Sequence, residues 1–111
     1  MTGADKLLSA GKDQLLSDIA KLMKQRDISQ VPVIENGTCI GSINSEIFLS
    51  VAVGGKEKVS DVMEEPFPQV SVKTSQKAIA ELLKTSPAVI VTDKGKIAGI
   101  ISKDDFIGLM G

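Results

Sequence analysis

The chain has 111 residues, of which 42% are hydrophobic and 24% charged, and its formal net charge is −1. This length allows one compact unit, or two very small ones that share a core, because domains of about 50 residues bury too little surface alone. The charge balance gives no pull toward nucleic acid or an anionic membrane, and the absence of His, Trp and Tyr removes imidazole chemistry and most stacking platforms. We expect neither a nucleic-acid-binding protein nor an enzyme.

The cellular compartment can be predicted from the cysteine content and the apolar runs. A single cysteine, Cys39, lies in an apolar run and cannot form an internal disulfide, which indicates a reduced, buried thiol. No stretch approaches ~18 apolar residues, and the first residues lack the apolar core of a secretory signal. We therefore predict a cytoplasmic protein without a membrane span.

The first predicted elements are a helix in "QLLSDIAKLMKQ" and a β-hairpin in "VPVIENGTCIGSI". Five apolar side chains share one helical face: Leu15, Leu16, Ile19, Leu22 and Met23. Asp13 is the candidate N-cap of this helix. Asn36 and Gly37 form the strongest short hairpin signal and predict the turn.

The middle of the chain joins two similar halves. "AVGGKEK" predicts a flexible junction, "VSDVM" one helical turn, and the prolines of "EEPFPQVSV" a break before a short strand at 70–72. At an offset of 60 residues, Val70 and Val72 correspond to Ala10 and Lys12, which are poor strand formers. The strand that precedes the first helix is therefore expected to be diverged or cut away.

The second half repeats the first. A helix at 76–84 carries Ile79, Leu82 and Leu83 on one face, and a hairpin in "AVIVTDKGKIAGII" turns at Asp93, Lys94 and Gly95. Gly41 and Gly99 match at an offset of 58 (99 minus 41) within the returning strands. A glycine there marks a bulge or the close approach of a backbone or ligand, unless it is a simple packing glycine.

The closing segments of the two halves differ at two positions. "GIISKDDF" has Ser102 and Asp105 where "GSINSEIF" has Asn44 and Ile47. Ser-x-x-Asp before an apolar run is a capping box, and a cap stabilises its helix by about 0.5–2 kcal/mol without any ligand. Asn44 can cap the corresponding helix of the first half.

The order strand, helix, strand, strand, helix in each half resembles a tandem pair of CBS (cystathionine β-synthase) domains, a Bateman module. The resemblance covers roughly residues 15–110 and depends on "ISQVPVIENGTCIGSI", "VSDVMEEPFPQVSV" and "GKIAGIISKDDF". It implies an α+β fold of two βαββα repeats, with small mixed sheets and packed helices related by a pseudo-twofold axis. The repeats are predicted at 1–53 and 59–111, with a linker at 54–58.

The resemblance also implies a cleft between the repeats that binds an adenosine-containing ligand. A carboxylate accepts hydrogen bonds through two oxygens, so Asp105, with Ser102, would hold the ribose hydroxyls, each such bond contributing about 1.5–3 kcal/mol. Lys103 and the helix N-terminus would face a phosphate. Ile47 cannot bind a diol, so we predict one ligand site per chain.

The remaining site residues are assigned from the family pattern to the strand edges that would contact adenine. Their alternatives are structural: Thr74 is also a candidate N-cap of the second helix, Pro87 can simply shape its loop, and Gly99 can be a packing glycine. The predicted adenine-contacting set, with the neighbours of Ser102 on its strand, is Val70, Val72, Thr74, Pro87, Ala88, Val89, Gly99 and Ile101.

The resemblance implies a regulatory, non-catalytic module. Its effector would be AMP, ADP, ATP or S-adenosylmethionine, with no required cofactor, and it would form a homodimer and control an effector domain absent from this chain. The alternative is a structural dimerisation module without a ligand, in which Ser102 and Asp105 only cap a helix.

Overall fold

The computed structural model describes residues 1–3, 5–50 and 57–110, so most of the predicted linker, residues 54–56, lies outside the described part. Its helices and strands confirm the α+β class. In chain order they are β1 (Thr2–Gly3), α1 (Leu16–Arg26), β2 (Gln30–Glu35), β3 (Thr38–Asn44), α2 (Ile47–Ser50), α3 (Val59–Val62), β4 (Gln69–Ser71), α4 (Gln76–Leu83), β5 (Ala88–Asp93), β6 (Lys96–Ser102) and α5 (Lys103–Met110).

The chain divides into two compact units, Leu8–Pro66 and the combination of Met1–Leu7 with Phe67–Gly111. The unit Leu8–Pro66 contains the antiparallel pair β2-β3, and the other unit contains a sheet in the order β1-β6-β5-β4. In that sheet β4 and β5 are parallel, whereas the other neighbours are antiparallel. The first residues of each predicted repeat, 1–7 and 59–66, therefore belong to the compact unit of the other repeat. The boundaries of the repeats at 1–53 and 59–111 stay a prediction.

Helix α1 buries the apolar face that its spacing predicts. Leu16, Ile19 and Met23 are buried in the core of the unit Leu8–Pro66, whereas Leu15 precedes the helix and is 40% exposed. The predicted cap, Asp13, is wrong: the N-cap residue is Leu15, and it makes no side-chain cap bond. The helix start is held instead by the backbone, because the Leu16 N–H donates to the Glu57 carbonyl at 2.8 Å.

Both predicted hairpins form, and they share one geometry. The turn residues Asn36 and Gly37 have φ of 52° and 79°, and Lys94 and Gly95 have φ of 51° and 80°. Positive φ at both central residues is the type I′ turn, whose twist matches that of the flanking strands. Each hairpin also carries an irregularity in register at the same relative place, between Val33 and Ile34 and between Val91 and Thr92.

Replacing Lys94 with asparagine is expected to raise the free energy of unfolding by up to about 1 kcal/mol, because asparagine tolerates the left-handed conformation better than lysine does. Asn36 already occupies the matching position of the first hairpin. Urea denaturation measures the change. Lys94→Ala is the control, since it removes the same side chain without this conformational benefit; an equal gain in Lys94→Ala would contradict the explanation.

The strand segment before α1 is reduced but present, as expected for a diverged segment and not for one that was cut away. The Ala10 N–H donates to the Pro32 carbonyl and the Ala10 carbonyl accepts from the Ile34 N–H, both at 2.9 Å, as a one-residue parallel bridge to β2. Such pairing uses only backbone groups, so it does not require a side chain with a high strand propensity. The Ala10 side chain is buried. The equivalent strand β4 pairs with β5 over three residues (Gln69–Ser71).

Gly41 and Gly99 each allow another backbone to approach the returning strand, which is one of the alternatives that the sequence leaves open. A Cβ on Gly41 would lie 2.6 Å from the Met63 Sδ and 3.0 Å from the Glu64 carbonyl oxygen. A Cβ on Gly99 would overlap the carbonyl oxygen of Thr2 in β1. We call β1 and residues 63–65 the edge segments, because each pairs with the outer side of a returning strand, β6 and β3 respectively.

Candidate functional site

Ser102 and Asp105 form a reciprocal capping box at the junction of β6 and α5. The Ser102 N–H donates to the Asp105 Oδ2 at 3.2 Å, and the Asp105 N–H donates to the Ser102 Oγ at 3.1 Å. The sequence predicts this geometry from the Ser-x-x-Asp spacing, and it satisfies one backbone donor at the helix start. Each residue thereby fixes the position of the other.

The Asp105 carboxylate keeps one acceptor oxygen available. In the described part of the chain its Oδ2 accepts the bond from Ser102, and no donor is bonded to its Oδ1. Asp105 and Ser102 are both half-buried, so neither is sealed in the core. A held carboxylate with a free oxygen is suited to accept a hydrogen bond from a hydroxyl group.

Lys103 begins α5 and links it to β5. Its backbone N–H donates to the Pro87 carbonyl at 3.0 Å, while its side chain is exposed. Ala88 faces Ser102 in the register of β5 and β6. The structure therefore brings Pro87, Ala88, Ser102, Lys103 and Asp105 to one end of the sheet.

Val72 and Thr74 lie toward the other end of β5. The Val72 N–H donates to the Thr92 carbonyl at 2.9 Å, four residues along β5 from Ala88. That separation corresponds to about 13 Å of extended strand. A ligand on Asp105 reaches Thr74 only by spanning this length, and the assignment of Val72 and Thr74 to the site stays a prediction.

Ser75, and not Thr74, caps the helix α4. The Ser75 Oγ accepts the Ala78 N–H at 3.2 Å, so the structural alternative for Thr74 is wrong. No side-chain hydrogen bond involves the Thr74 hydroxyl within the described residues, and Thr74 is half-buried. Its hydroxyl is therefore available for another partner.

The other strand residues of the predicted site divide by burial. Val89 and Ile101 lie in the core cluster, where Val70 packs against them from a half-buried position. Ala88 is fully buried, whereas Pro87 is exposed and Val72 is 47% exposed. Gly99 faces β1. The side chains of Val89 and Ile101 thus contribute packing, and a ligand at this edge would meet their backbone.

Sequence reasoning missed the two residues that precede β4, Phe67 and Pro68. The Ile90 N–H donates to the Pro68 carbonyl at 2.8 Å, and Gln69 pairs with Ile90, so Phe67 and Pro68 lie near the same end of β5 as Ala88. The sequence carries no local signal for this position, because it depends on the parallel register of β4 against β5. The sequence prediction placed the contact residues at Val70, Val72 and Thr74 instead.

The first repeat has a different set of side chains at the matching positions. The Asn44 Oδ1 accepts the Ile47 N–H at 3.1 Å, which confirms Asn44 as a cap, and the Asn44 amide donates to the Glu64 carboxylate. Ile47 is only 7% exposed and belongs to the core. At the position of Ala88 the first repeat has Gln30 (88 minus 58), whose Oε1 is buried without a hydrogen bond among the described residues. This end of β2-β3 therefore presents no carboxylate equivalent to Asp105.

A separate depression in the unit Leu8–Pro66 has a volume of about 370 Å³ and is lined by residues 11–14 with Ile34 and Glu35. The Lys12 Nζ lies 3.0 Å from the Glu35 Oε1. The hydrogen bond and the charge of Glu35, with a smaller contribution from Asp13, raise the pKa of Lys12. Its ammonium group is therefore already paired.

The described residues contain no group of three or more His, Cys, Asp or Glu side chains that could hold a metal ion. None of their helices has the length and apolar character needed to cross a membrane.

Comparisons with known proteins agree on one family. The family model for the CBS domain matches residues 4–54 and 59–111. The uncharacterized protein MJ0188 of Methanocaldococcus jannaschii is 31% identical over an alignment of 108 positions that covers 92% of this chain and 40% of that protein. The chain thus spans two fifths of the length of this relative.

The solved structures show the same fold. The CBS domain of a bacterial CNNM/CorC family Mg²⁺ transporter in complex with ATP is 20% identical, with a TM-score of 0.86 over 96% of this chain and 80% of that one. CBSX2 in complex with AMP is 20% identical, with a TM-score of 0.84 over 99% of this chain and 91% of that one. The family model matches the chain twice, and each compact unit contains one of the two hairpins. The chain therefore belongs to the CBS-domain family as a tandem pair of CBS domains.

Proposed function

We propose that this chain is a ligand-sensing regulatory module whose second repeat binds an adenosine-containing ligand through Asp105. The observation that carries the proposal is the Asp105 carboxylate, which Ser102 holds through Oδ2 while Oδ1 accepts no bond within the described residues. The ribose of the ligand would donate a hydroxyl hydrogen bond to this oxygen. Ser102 would orient the carboxylate.

The solved relatives support the class of ligand. One is described in complex with ATP and another in complex with AMP, and both share the fold over more than nine tenths of this chain. Because their sequence identity to this chain is 20%, the choice of ligand has to come from the residues of this chain. The candidates are AMP, ADP, ATP and S-adenosylmethionine.

The charges around Asp105 favour a ligand with few phosphates. Lys103 supplies one exposed ammonium group and α5 supplies a helix N-terminus, which attracts negative charge. Asp104 is exposed beside them and opposes the accumulation of negative charge. We therefore place AMP before ATP as the preferred nucleotide.

The regulatory consequence follows from thermodynamic linkage. A ligand shifts a conformational equilibrium only by the difference between its affinities for the two states. The bound ligand would favour one arrangement of the module, and an effector domain outside this chain, or a partner protein, would respond to it. A homodimer in the cytoplasm, without a required cofactor, is part of the same proposal.

The alternative function is a structural dimerisation module without a ligand. The capping box of Ser102 and Asp105 is complete without a ligand, which is the observation that favours this alternative. The free oxygen of Asp105 and the unbonded hydroxyl of Thr74 are not needed for capping and favour the sensor.

A titration decides between the two functions, with isothermal calorimetry and thermal shift applied to the whole chain. We expect one of the four ligands, AMP first, to bind with a stoichiometry of one per chain, because only the second repeat has the carboxylate. A ligand that binds only the folded state stabilises it by about 2.7 kcal/mol at 100 times its dissociation constant. No binding and no thermal shift with any of the four would favour the structural module. Two equivalent sites per chain would contradict the asymmetry between Asp105 and Ile47.

A further inference from the structure

The two edge segments dock in equivalent places but are held very differently. Residues 63–65 are paired with β3 by two backbone bonds between Ser42 and Glu64, at 3.0 and 2.9 Å. Two side chains add to them: the Ser42 Oγ donates to the Glu65 carbonyl at 2.7 Å, and the Asn44 amide donates to the Glu64 carboxylate. The backbone bonds and both side chains together fix this edge segment.

The side-chain anchors are missing where β1 docks on β6. Thr2 pairs with Ile100 and Gly3 with Gly99. At an offset of 58, Ile100 replaces Ser42 and Ser102 replaces Asn44, so neither anchor is conserved within the repeat. In the described part of the chain, no side-chain hydrogen bond ties β1 to β6. β1 is therefore held by its backbone pairing and by the contact of Met1 and Thr2 with Gly99.

The position that anchors an edge segment in the first repeat serves the candidate site in the second. Ser102 uses its hydroxyl and its N–H in the bonds with Asp105. β1 pairs with Ile100, only two residues before Ser102 on the same strand. The weakly anchored strand and the nucleoside site thus share the last residues of β6.

We propose that β1 is a positioning element of the nucleoside site. Docked β1 holds the end of β6 in the sheet and so fixes Ser102 and, through it, the Asp105 carboxylate. Ligand binding and β1 docking then favour each other, since a coupling free energy between two sites is reciprocal. This inference rests on the proposed function, because it needs a ligand at Asp105.

The first measurement is amide hydrogen exchange by NMR on the whole chain, with and without saturating AMP, or whichever of the four ligands binds in the titration. We expect exchange in β1 and at Gly99 and Ile100 to slow at least fivefold on binding, within the 5–150-fold range of typical couplings. Exchange in residues 63–65 should not change, because that edge segment already has its anchors. These residues provide the internal control.

The second measurement uses Thr2→Pro, which removes an N–H from β1 and disfavours its pairing. Thr2 is outside the nucleoside site, so a loss of affinity reports on β1 docking. We expect at least fivefold weaker binding by calorimetry. Thr2→Ala is the control, since it keeps the backbone N–H and should bind like the wild type. If Thr2→Pro does not fold, the exchange measurement on the wild type decides the question.

The outcomes distinguish the positioning role of β1 from the proposed ligand-binding function. If a ligand binds at one per chain but exchange in β1 and the affinity of Thr2→Pro are unchanged, the positioning role is refuted and the proposed function stands. If no ligand binds, both are refuted. If binding slows exchange in β1 and Thr2→Pro weakens binding, both are supported.

Discussion

We expect Asp105→Ala to weaken ligand binding at least tenfold, which corresponds to a loss of about 1.4 kcal/mol or more. The substitution removes both carboxylate oxygens, so it loses the free acceptor Oδ1 together with the bond from the Ser102 N–H. A hydrogen bond to a charged group contributes about 1.5–3 kcal/mol, so one lost ribose contact accounts for the expected change. Calorimetric titration of the variant and of the wild type measures it.

The controls for Asp105→Ala separate ligand binding from helix capping and from charge. Ser75→Ala removes one side-chain capping bond from α4, as Asp105→Ala does from α5, so it should lose a similar stability, about 1 kcal/mol, but no affinity. Asp104→Ala removes the same charge one residue away and should not weaken binding. If Asp105→Ala loses stability and keeps its affinity, Asp105 is only a helix cap. Asp105→Asn keeps one oxygen that can accept the hydrogen bond from the Ser102 N–H. It therefore tests how much of the ligand affinity depends on the negative charge while the capping bond is retained.

Ile47→Asp is expected to lower the free energy of unfolding by about 2–5 kcal/mol, the cost of removing a buried isoleucine side chain. The change copies Asp105 into the first repeat, but the environment differs, because Ile47 is 7% exposed and packs in the core. A carboxylate there would have to be desolvated, which adds to the cost. We therefore expect a destabilised protein with no second ligand site.

Chemical denaturation and calorimetry check the Ile47→Asp prediction together. Ile47→Val is the matched control and should lose only about 0.5–1.5 kcal/mol, since it keeps an apolar side chain of nearly the same shape. A stable Ile47→Asp variant that binds two ligands per chain would show that the aspartate alone defines a site. The difference in ligand binding between the two repeats would then be caused by this one residue.

The hairpins and helices could be predicted from the sequence because their signals are local. Asn36 and Gly37 specify a turn by their own conformational preferences, and the apolar spacing of α1 places Leu16 and Ile19 inside. The capping box of Ser102 and Asp105 is equally local, since it joins residues three apart in sequence. These predictions are confirmed.

What the sequence could not predict depends on contacts between distant residues. The start of α1 is held by Glu57, 41 residues after Leu16 (57 minus 16), so no capping residue near Asp13 was needed. Ala10 forms a strand bridge because Pro32 and Ile34 supply backbone partners, which its own propensity does not reveal. The position of Phe67 and Pro68 beside the start of β5 likewise depends on the register of β4 against β5.

The assignment of the edge segments also determines the order in which the chain can fold. The unit Leu8–Pro66 is continuous, so all its residues are available once residue 66 has been synthesised. The other unit needs β1 beside β6, and this pairing joins Thr2 to Ile100, which lie 98 residues apart in sequence (100 minus 2). Closure of so long a loop is entropically costly and slow. We expect β1 to be the last of the described strands to be protected from exchange during refolding.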